Sequence, residues 1–170
     1  EGLRKGMPAH NFRLSTLDGQ SVSLADFWGK PVLIVFFGGR KCEPCIETLK
    51  EVNKLFKREQ RRGLIVLAAS IDSAEEQKAV AKLARQKKWA FPVLLDSEMQ
   101  VYMQYAPKLV MPYLFLISRD QYVMWEHQGG GWNYIAPGLY EKLCAQGFYR
   151  ECSNLARLYD KGTWVPKDPE

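Results

Sequence analysis

Apolar and polar positions divide the chain into runs of two kinds. Pro31 to Phe37 strings together Val, Leu, Ile and Phe without alternation, which predicts a strand covered on both faces. Leu64 to Ala69 predicts a second strand of that kind. Between them, Glu43 to Arg62 carries apolar residues at Ile46, Leu49, Val52, Leu55 and Phe56. That spacing gives a helix with one buried stripe, and Gly63 stops it. Ser73 to Lys88 predicts another helix, with Ser73 and Glu76 at capping-box spacing. Phe91 to Leu95 is a short strand and Ser97 to Tyr105 a short helix. Tyr113 to Ile117 and Tyr122 to His127 are two more strands around Ser-Arg-Asp.

The amino-terminal stretch reads as two short strands, Asn11 to Leu14 and Ser21 to Leu24, around an Asp-Gly turn. Ala25 to Gly29 is a helical turn ending at glycine. Near the other end, Leu139 to Gln146 and Tyr149 to Asp160 predict two helices broken at Gly147, and 162–170 is a surface tail. Strands alternating with helices imply βαβ units. The fold class is therefore α/β, with a mixed, mostly parallel sheet, an N-terminal β-hairpin and an antiparallel closing hairpin. Residues 1–145 form one domain, and 146–170 a helical extension and tail packed on it.

Composition adds limits. At 170 residues the chain suits one domain with a real core. No apolar run approaches the ~20 residues of a membrane helix, so the chain is not membrane-spanning. Glu1-Gly-Leu-Arg-Lys has no apolar core for a signal peptide, and the missing methionine fits a mature or trimmed product. The net charge is +5, but the basic residues are dispersed over helix faces without interleaved aromatic platforms. That excludes a nucleic-acid partner.

The chemistry-bearing stretch is Cys42-Glu43-Pro44-Cys45. It follows a buried strand and opens a helix, at the carboxyl end of a strand where sites tend to form. Free N–H groups and the partial positive charge of a helix start stabilise a thiolate. Cys42 feels this most, Arg40 and Lys41 add positive charge, and Glu43 opposes them. Pro44 fits the first turn and restricts the loop. Cys42 is thus the nucleophile and Cys45 the resolving thiol of a disulfide exchange. Two other uses stay open. Structural zinc would need further ligands, yet a second CxxC is absent and His10 and His127 are isolated. An inert disulfide would be a poor clamp at so short a closure. No metal and no cofactor beyond the redox disulfide Cys42–Cys45 is expected.

These stretches together resemble the thioredoxin fold, and more closely the TlpA/ResA-like thiol-disulfide oxidoreductases. "GMPAHNFRLSTLDGQSVSLADFWGKPVLIVFF" resembles the opening strands, "CEPC" the redox motif, "FPVLLDSEMQVYMQYAP" the insert and its helix, and "VMPYLFLI" the proline loop. The resemblance implies a three-layer α/β/α arrangement and a cis Met111–Pro112 bond facing the CxxC. Met111 backbone groups would then be free to pair with an extended partner, and Lys41, Glu43 and Pro44 would face it too. Departures stand out. Lys41 replaces a common Trp before the first cysteine, and Phe36 a buried Asp or Asn. Thr48 stands where a Glu follows the second cysteine, leaving Glu47 as the nearest acid and a weak acid/base candidate, one helical position off.

The resemblance further implies protein disulfide or dithiol substrates, a membrane-embedded thiol donor, and a periplasmic or other extracytoplasmic location, any anchor lying outside this stretch. Its roles would be reduction in cytochrome c maturation or general disulfide repair. Two alternatives are a binding or metal-delivery module and a peroxiredoxin-type peroxidase. Gly39 stands against the latter, at a position where that motif has Thr or Ser. Cys144 and Cys152 would lie ~12 Å apart on one continuous helix. A turn at Gly147 would let them form a structural disulfide; otherwise they are two buried thiols. The aromatics Trp132, Tyr134, Phe148, Tyr149 and Trp164 are either a docking surface or packing for these helices.

Overall fold

The structure, a computed structural model, describes residues 2–38 and 41–161. The roles expected of Gly39, Arg40, Trp164 and the tail lie outside the described residues. In chain order the strands are β1 (Arg13–Thr16), β2 (Ser21–Ser23), β3 (Val32–Phe37), β4 (Ile65–Ser70), β5 (Val93–Leu95), β6 (Tyr113–Ile117) and β7 (Val123–Gln128). The helices are α1 (Glu43–Glu59), α2 (Gln77–Lys87), α3 (Gln100–Tyr105), α4 (Trp132–Ala145) and α5 (Tyr149–Lys161). The strands form one 7-stranded sheet in the order β2-β1-β5-β4-β3-β6-β7.

β3 lies deep in the sheet, and every one of its residues is buried. Its alternate side chains serve two cores. Leu33, Val35 and Phe37 pack with Leu49, Val52 and Leu55 of α1, Val80 of α2, and Ile135, Leu139 and Leu143 of α4. Val32, Ile34 and Phe36 pack with Val101, Tyr102 and Tyr105 of α3 and with Leu3, Phe12 and Leu24. Helices therefore cover both faces, which is the three-layer arrangement.

The sheet is mixed, but it is not mostly parallel. Only β3–β4 and β4–β5 run parallel; the other four pairings are antiparallel. The helical crossovers through α1 and α2 enforce the two parallel pairs. The connection through α3 brings β6 back against β3 in the opposite sense, and β1 inserts antiparallel beside β5.

Local differences have local causes. The Ser73 side chain makes no cap bond, and a 3₁₀ turn over Ala74–Glu76 precedes α2. The helix α4 begins at Trp132 rather than Leu139, holding Pro137 in its interior. Proline and glycine both disfavour a helix interior, yet a Cβ on Gly138 would lie 2.5 Å from Trp125 Nε1. Glycine is what lets β7 and α4 approach there. Asp96, buried, caps α3 by accepting from the N–H groups of Val101 (3.2 Å) and Tyr102 (2.8 Å).

The turn at Gly147 takes φ +98° and brings α5 back along α4. Cys144 and Cys152 are bonded across this corner, with Cα atoms 4.9 Å apart. Phe148 is buried in the core, whereas Tyr134 and Tyr149 are exposed. A charged cluster also joins α5 to α1. Arg58 donates two hydrogen bonds to the buried Glu151, at 3.2 and 2.8 Å. Asn154 donates a third at 2.9 Å.

Candidate active site

Three chain segments meet at one end of the sheet. The first is the carboxyl end of β3, which leads into the cysteine pair. The second is the start of β6: Phe36 pairs with Tyr113, so Pro112 lies beside the exit of β3. The third is the end of β7: Tyr113 pairs with Gln128, and the Gly129 N–H donates to the Pro112 carbonyl at 2.8 Å.

Cys42 is the residue that caps α1. Its Sγ accepts from the Cys45 N–H at 3.2 Å, so the sulfur occupies the position an N-cap oxygen would take. Pro44 sits in the first turn, where its missing N–H costs nothing. Cys42 and Cys45 are joined, with Cα atoms 5.2 Å apart. They are unequal in access: Cys42 is half-buried, whereas Cys45 is fully buried. Lys41 and Glu43 are exposed on either side, Lys41 in the left-handed region at φ 61°. One sulfur is thus reachable and the other is held behind it.

The Met111–Pro112 bond is cis. No hydrogen bond joins the Met111 backbone to another described residue. The loop before it is fastened by Tyr102, whose hydroxyl donates to Lys108 O (2.6 Å) and accepts from Val110 N–H (2.9 Å). Leu109 stays two-thirds exposed at its edge.

The run Gly129-Gly130-Gly131 is the element that sequence reasoning missed. A Cβ on Gly130 would fall 2.7 Å from the Pro44 Cβ, so this loop lies directly against the redox motif. Gly131 takes φ +95°, a conformation that favours glycine. Three consecutive glycines after a strand were the available signal, since they mark close backbone approach.

Other candidates fall elsewhere. Glu47 is exposed and lines a cavity of about 450 Å³ with Lys50, Lys54 and Lys57; no cysteine lines it. Phe36 points into the aromatic core with Tyr102, Tyr105 and Phe115, on the sheet face opposite Cys45. An acid at that position would therefore not sit beside the resolving sulfur. Thr48, one turn past Cys45, is buried and its Oγ1 has no hydrogen-bond partner among the described residues. His127 is an ordinary strand residue stacked on Trp125, and burial pushes its imidazole below its usual pKa. Among the described residues, no three or more His, Cys, Asp or Glu side chains sit where they could hold a metal.

Comparison with known proteins agrees with this geometry. The profile described as the AhpC/TSA family matches residues 6–126. A thiol-disulfide oxidoreductase ResA of Bacillus thuringiensis subsp. konkukian is 31% identical over 129 residues, covering 76% of this chain and 72% of its own. A crystal structure of a putative thiol:disulfide interchange protein DsbE from Chlorobium tepidum superposes with TM-score 0.70 at 28% identity, covering 76% of this chain and 89% of that one. The solution structure of a putative thioredoxin from Neisseria meningitidis reaches TM-score 0.66 at 25% identity and covers 89% of this chain and 91% of its own. On these matches the chain belongs to the AhpC/TSA family and groups with its ResA-like thiol-disulfide oxidoreductases.

Proposed function

We propose that this protein reduces disulfides in other polypeptides outside the cytoplasm, cycling the Cys42–Cys45 pair with electrons from a membrane-embedded thiol donor. The observation that carries this reading is the unequal access of the two sulfurs at the start of α1. In the reduced protein the Cys42 thiolate attacks one sulfur of a substrate disulfide. A mixed disulfide forms and one substrate thiolate leaves. The Cys45 sulfur, having given up its proton, then attacks Cys42. The Cys42–Cys45 bond closes, and the second substrate thiolate leaves. Two electrons pass to the substrate, and its two thiolates take up protons. The donor returns the pair to the dithiol.

The Cys45 N–H that now points at Cys42 Sγ is also the group that would stabilise the thiolate. The Met111 backbone, bonded to no other described residue, would offer an extended substrate a donor and an acceptor. Maturation of cytochrome c and general disulfide repair are the roles this chemistry serves. Among the described residues no helix is long and apolar enough to cross a membrane.

The test is turnover of a protein disulfide such as insulin with dithiothreitol as reductant. Cys42→Ser should abolish turnover, and Cys45→Ser should stall as a mixed disulfide visible by mass. Equal rates in wild type and both variants would eliminate an enzymatic role and leave a binding module. The midpoint potential of the pair assigns direction: a strongly negative value supports a reductant, a high one an oxidant.

A further inference from the structure

Cys45, Thr48, Leu49 and Val52 occupy one face of α1 at helical spacing, and all are buried. Thr48 is the polar member of this row. With the Cys42–Cys45 bond closed, its Oγ1 is buried and unpartnered among the described residues. Such a group is costly, so native proteins rarely leave one without reason. The usual partner of a helical threonine hydroxyl is the carbonyl four residues back, here that of Pro44, and this bond is absent. Helical side chains tilt toward the amino terminus, so the hydroxyl leans over the turn that holds Cys45. Residues three apart on a helix have Cβ atoms roughly 5–6 Å from each other. Around them the core is apolar, with Val35, Phe37, Leu114 and Ile135 as members.

In the disulfide, Thr48 Oγ1 makes no hydrogen bond to either sulfur of the pair. A disulfide sulfur has no hydrogen to donate, and as a neutral sulfur it accepts weakly. Opening the bond changes both properties. The Cys45 thiol gains an S–H that can donate to Oγ1, and its thiolate is a strong acceptor for the Thr48 O–H. Resting on the thiol-disulfide reading above, we infer that Thr48 is a positioning residue for Cys45. Its hydroxyl pairs with the Cys45 sulfur in the dithiol alone, and so biases the couple toward the reduced form.

Equilibration of the whole protein with glutathione tests this. In that reaction the dithiol passes two electrons and two protons to one glutathione disulfide, giving two glutathione thiols and the Cys42–Cys45 bond. Thr48→Val keeps the branched shape and removes the hydroxyl. It should make the pair about tenfold more reducing, which for two electrons is a midpoint potential about 30 mV lower. The oxidised variant should melt higher than oxidised wild type, because a buried unpaired hydroxyl is gone. The reduced variant should melt lower than reduced wild type. Thr48→Ser should return the potential to the wild-type value. An equilibrium constant for Thr48→Val within about twofold of wild type overturns the inference. So does a shift of both melting temperatures in one direction, which would identify a buried water as the partner in both states. The equilibrium needs no protein substrate, so it can be read even if protein-disulfide turnover is absent, and the two failures are distinguishable.

Discussion

Gly130→Ala tests whether the glycine loop after β7 is part of the site. The added methyl would lie 2.7 Å from the Pro44 Cβ and 3.4 Å from both its Cα and its carbonyl oxygen. Carbon atoms prefer about 3.5–4.0 Å, so one partner must retreat by roughly 1 Å. Pro44 cannot yield easily, being a rigid ring in the first turn of α1 and next to Cys45. The loop is held as well, because the Gly129 N–H is bonded to the Pro112 carbonyl at 2.8 Å. Overpacking of this kind costs about 1–3 kcal/mol. In a chain of this length each kcal/mol lowers Tm by about 2–4 °C. The kinetic effect should be larger. A displacement near 1 Å between Pro44 and the Pro112 loop misaligns any polypeptide lying across both, and misplacement on that scale can lose about a hundredfold. A small disulfide needs only the accessible Cys42 sulfur. We therefore expect kcat/KM for a protein disulfide to fall about tenfold to a hundredfold, and that for a small aromatic disulfide to fall less than about threefold. The assay is reduction of both substrates by the same preparation, with Tm measured alongside. An unchanged Tm together with protein-disulfide kcat/KM within about twofold of wild type would show that the loop does not bear on the site.

Tyr102→Phe should free the loop before Pro112, since the hydroxyl bonds to Lys108 O and Val110 N–H are lost. Hydrogen exchange at the Val110 amide should speed up and KM for a protein disulfide should rise about fivefold with kcat retained, consistent with a loss of about 1–3 kcal/mol; unaltered exchange would refute it. Glu59 gives a pH dependence. Burial first, then the hydrogen bond and charge of Glu151, push its carboxyl up to about 7, against the lowering pull of Arg62 and Arg150. Glu151 itself stays below its ordinary value, because the bonds from Arg58, Glu59 and Asn154 outweigh its burial. A proton held in the folded state and released on unfolding stabilises fully below the ordinary carboxyl pKa of about 4.5, and the gain is lost as pH rises through about 7. Denaturant titrations should show Glu59→Gln matching wild type near pH 4.5 and exceeding it by on the order of 1–3 kcal/mol at pH 8. Taking the difference between variants cancels His127, whose lowered pKa acts in the opposite sense. An equal offset at both pH values would disprove the assignment. Replacing Cys144 and Cys152 together by Ser opens a loop of sequence separation 8. Chain entropy sets that loss at about 2–3 kcal/mol. It should appear as faster exchange of the α5 amides, with protein-disulfide turnover kept within about twofold; loss of turnover would contradict a purely structural bond.

What the sequence made legible and what it hid have a common physical basis. A thiolate site at a helix start depends on neighbours within four residues, so roles for Cys42, Pro44 and Cys45 could be argued from local rules, and the structure has Cys42 capping α1 with Pro44 and Cys45 in its first turn. The core of β3 and the buried stripe of α1 are equally local, being periodicities of 2.0 and 3.6 residues. Contacts between distant segments are not encoded that way. Alternation along β1 says that one face is buried, but not that its partner is β5, some eighty residues on, nor that the two run antiparallel. Glu59 lies on a helix whose apolar stripe ends at Leu55 and Phe56, and it reads as a solvated charge until α5 folds back and buries it beside Glu151. Gly130 reads as linker until the end of β7 is set against Pro44. Phe36 shows the same limit from the other side. Counting six residues back from Cys42 marks Phe36 as standing where relatives carry a buried Asp or Asn, but strand alternation turns that side chain to the face opposite Cys45. The polar group that shares the face of Cys45 is Thr48, which counting along the chain records only as a missing acid. Proximity in sequence nominates the more accessible sulfur, whereas the sheet and its two cores decide which groups surround the sulfur behind it.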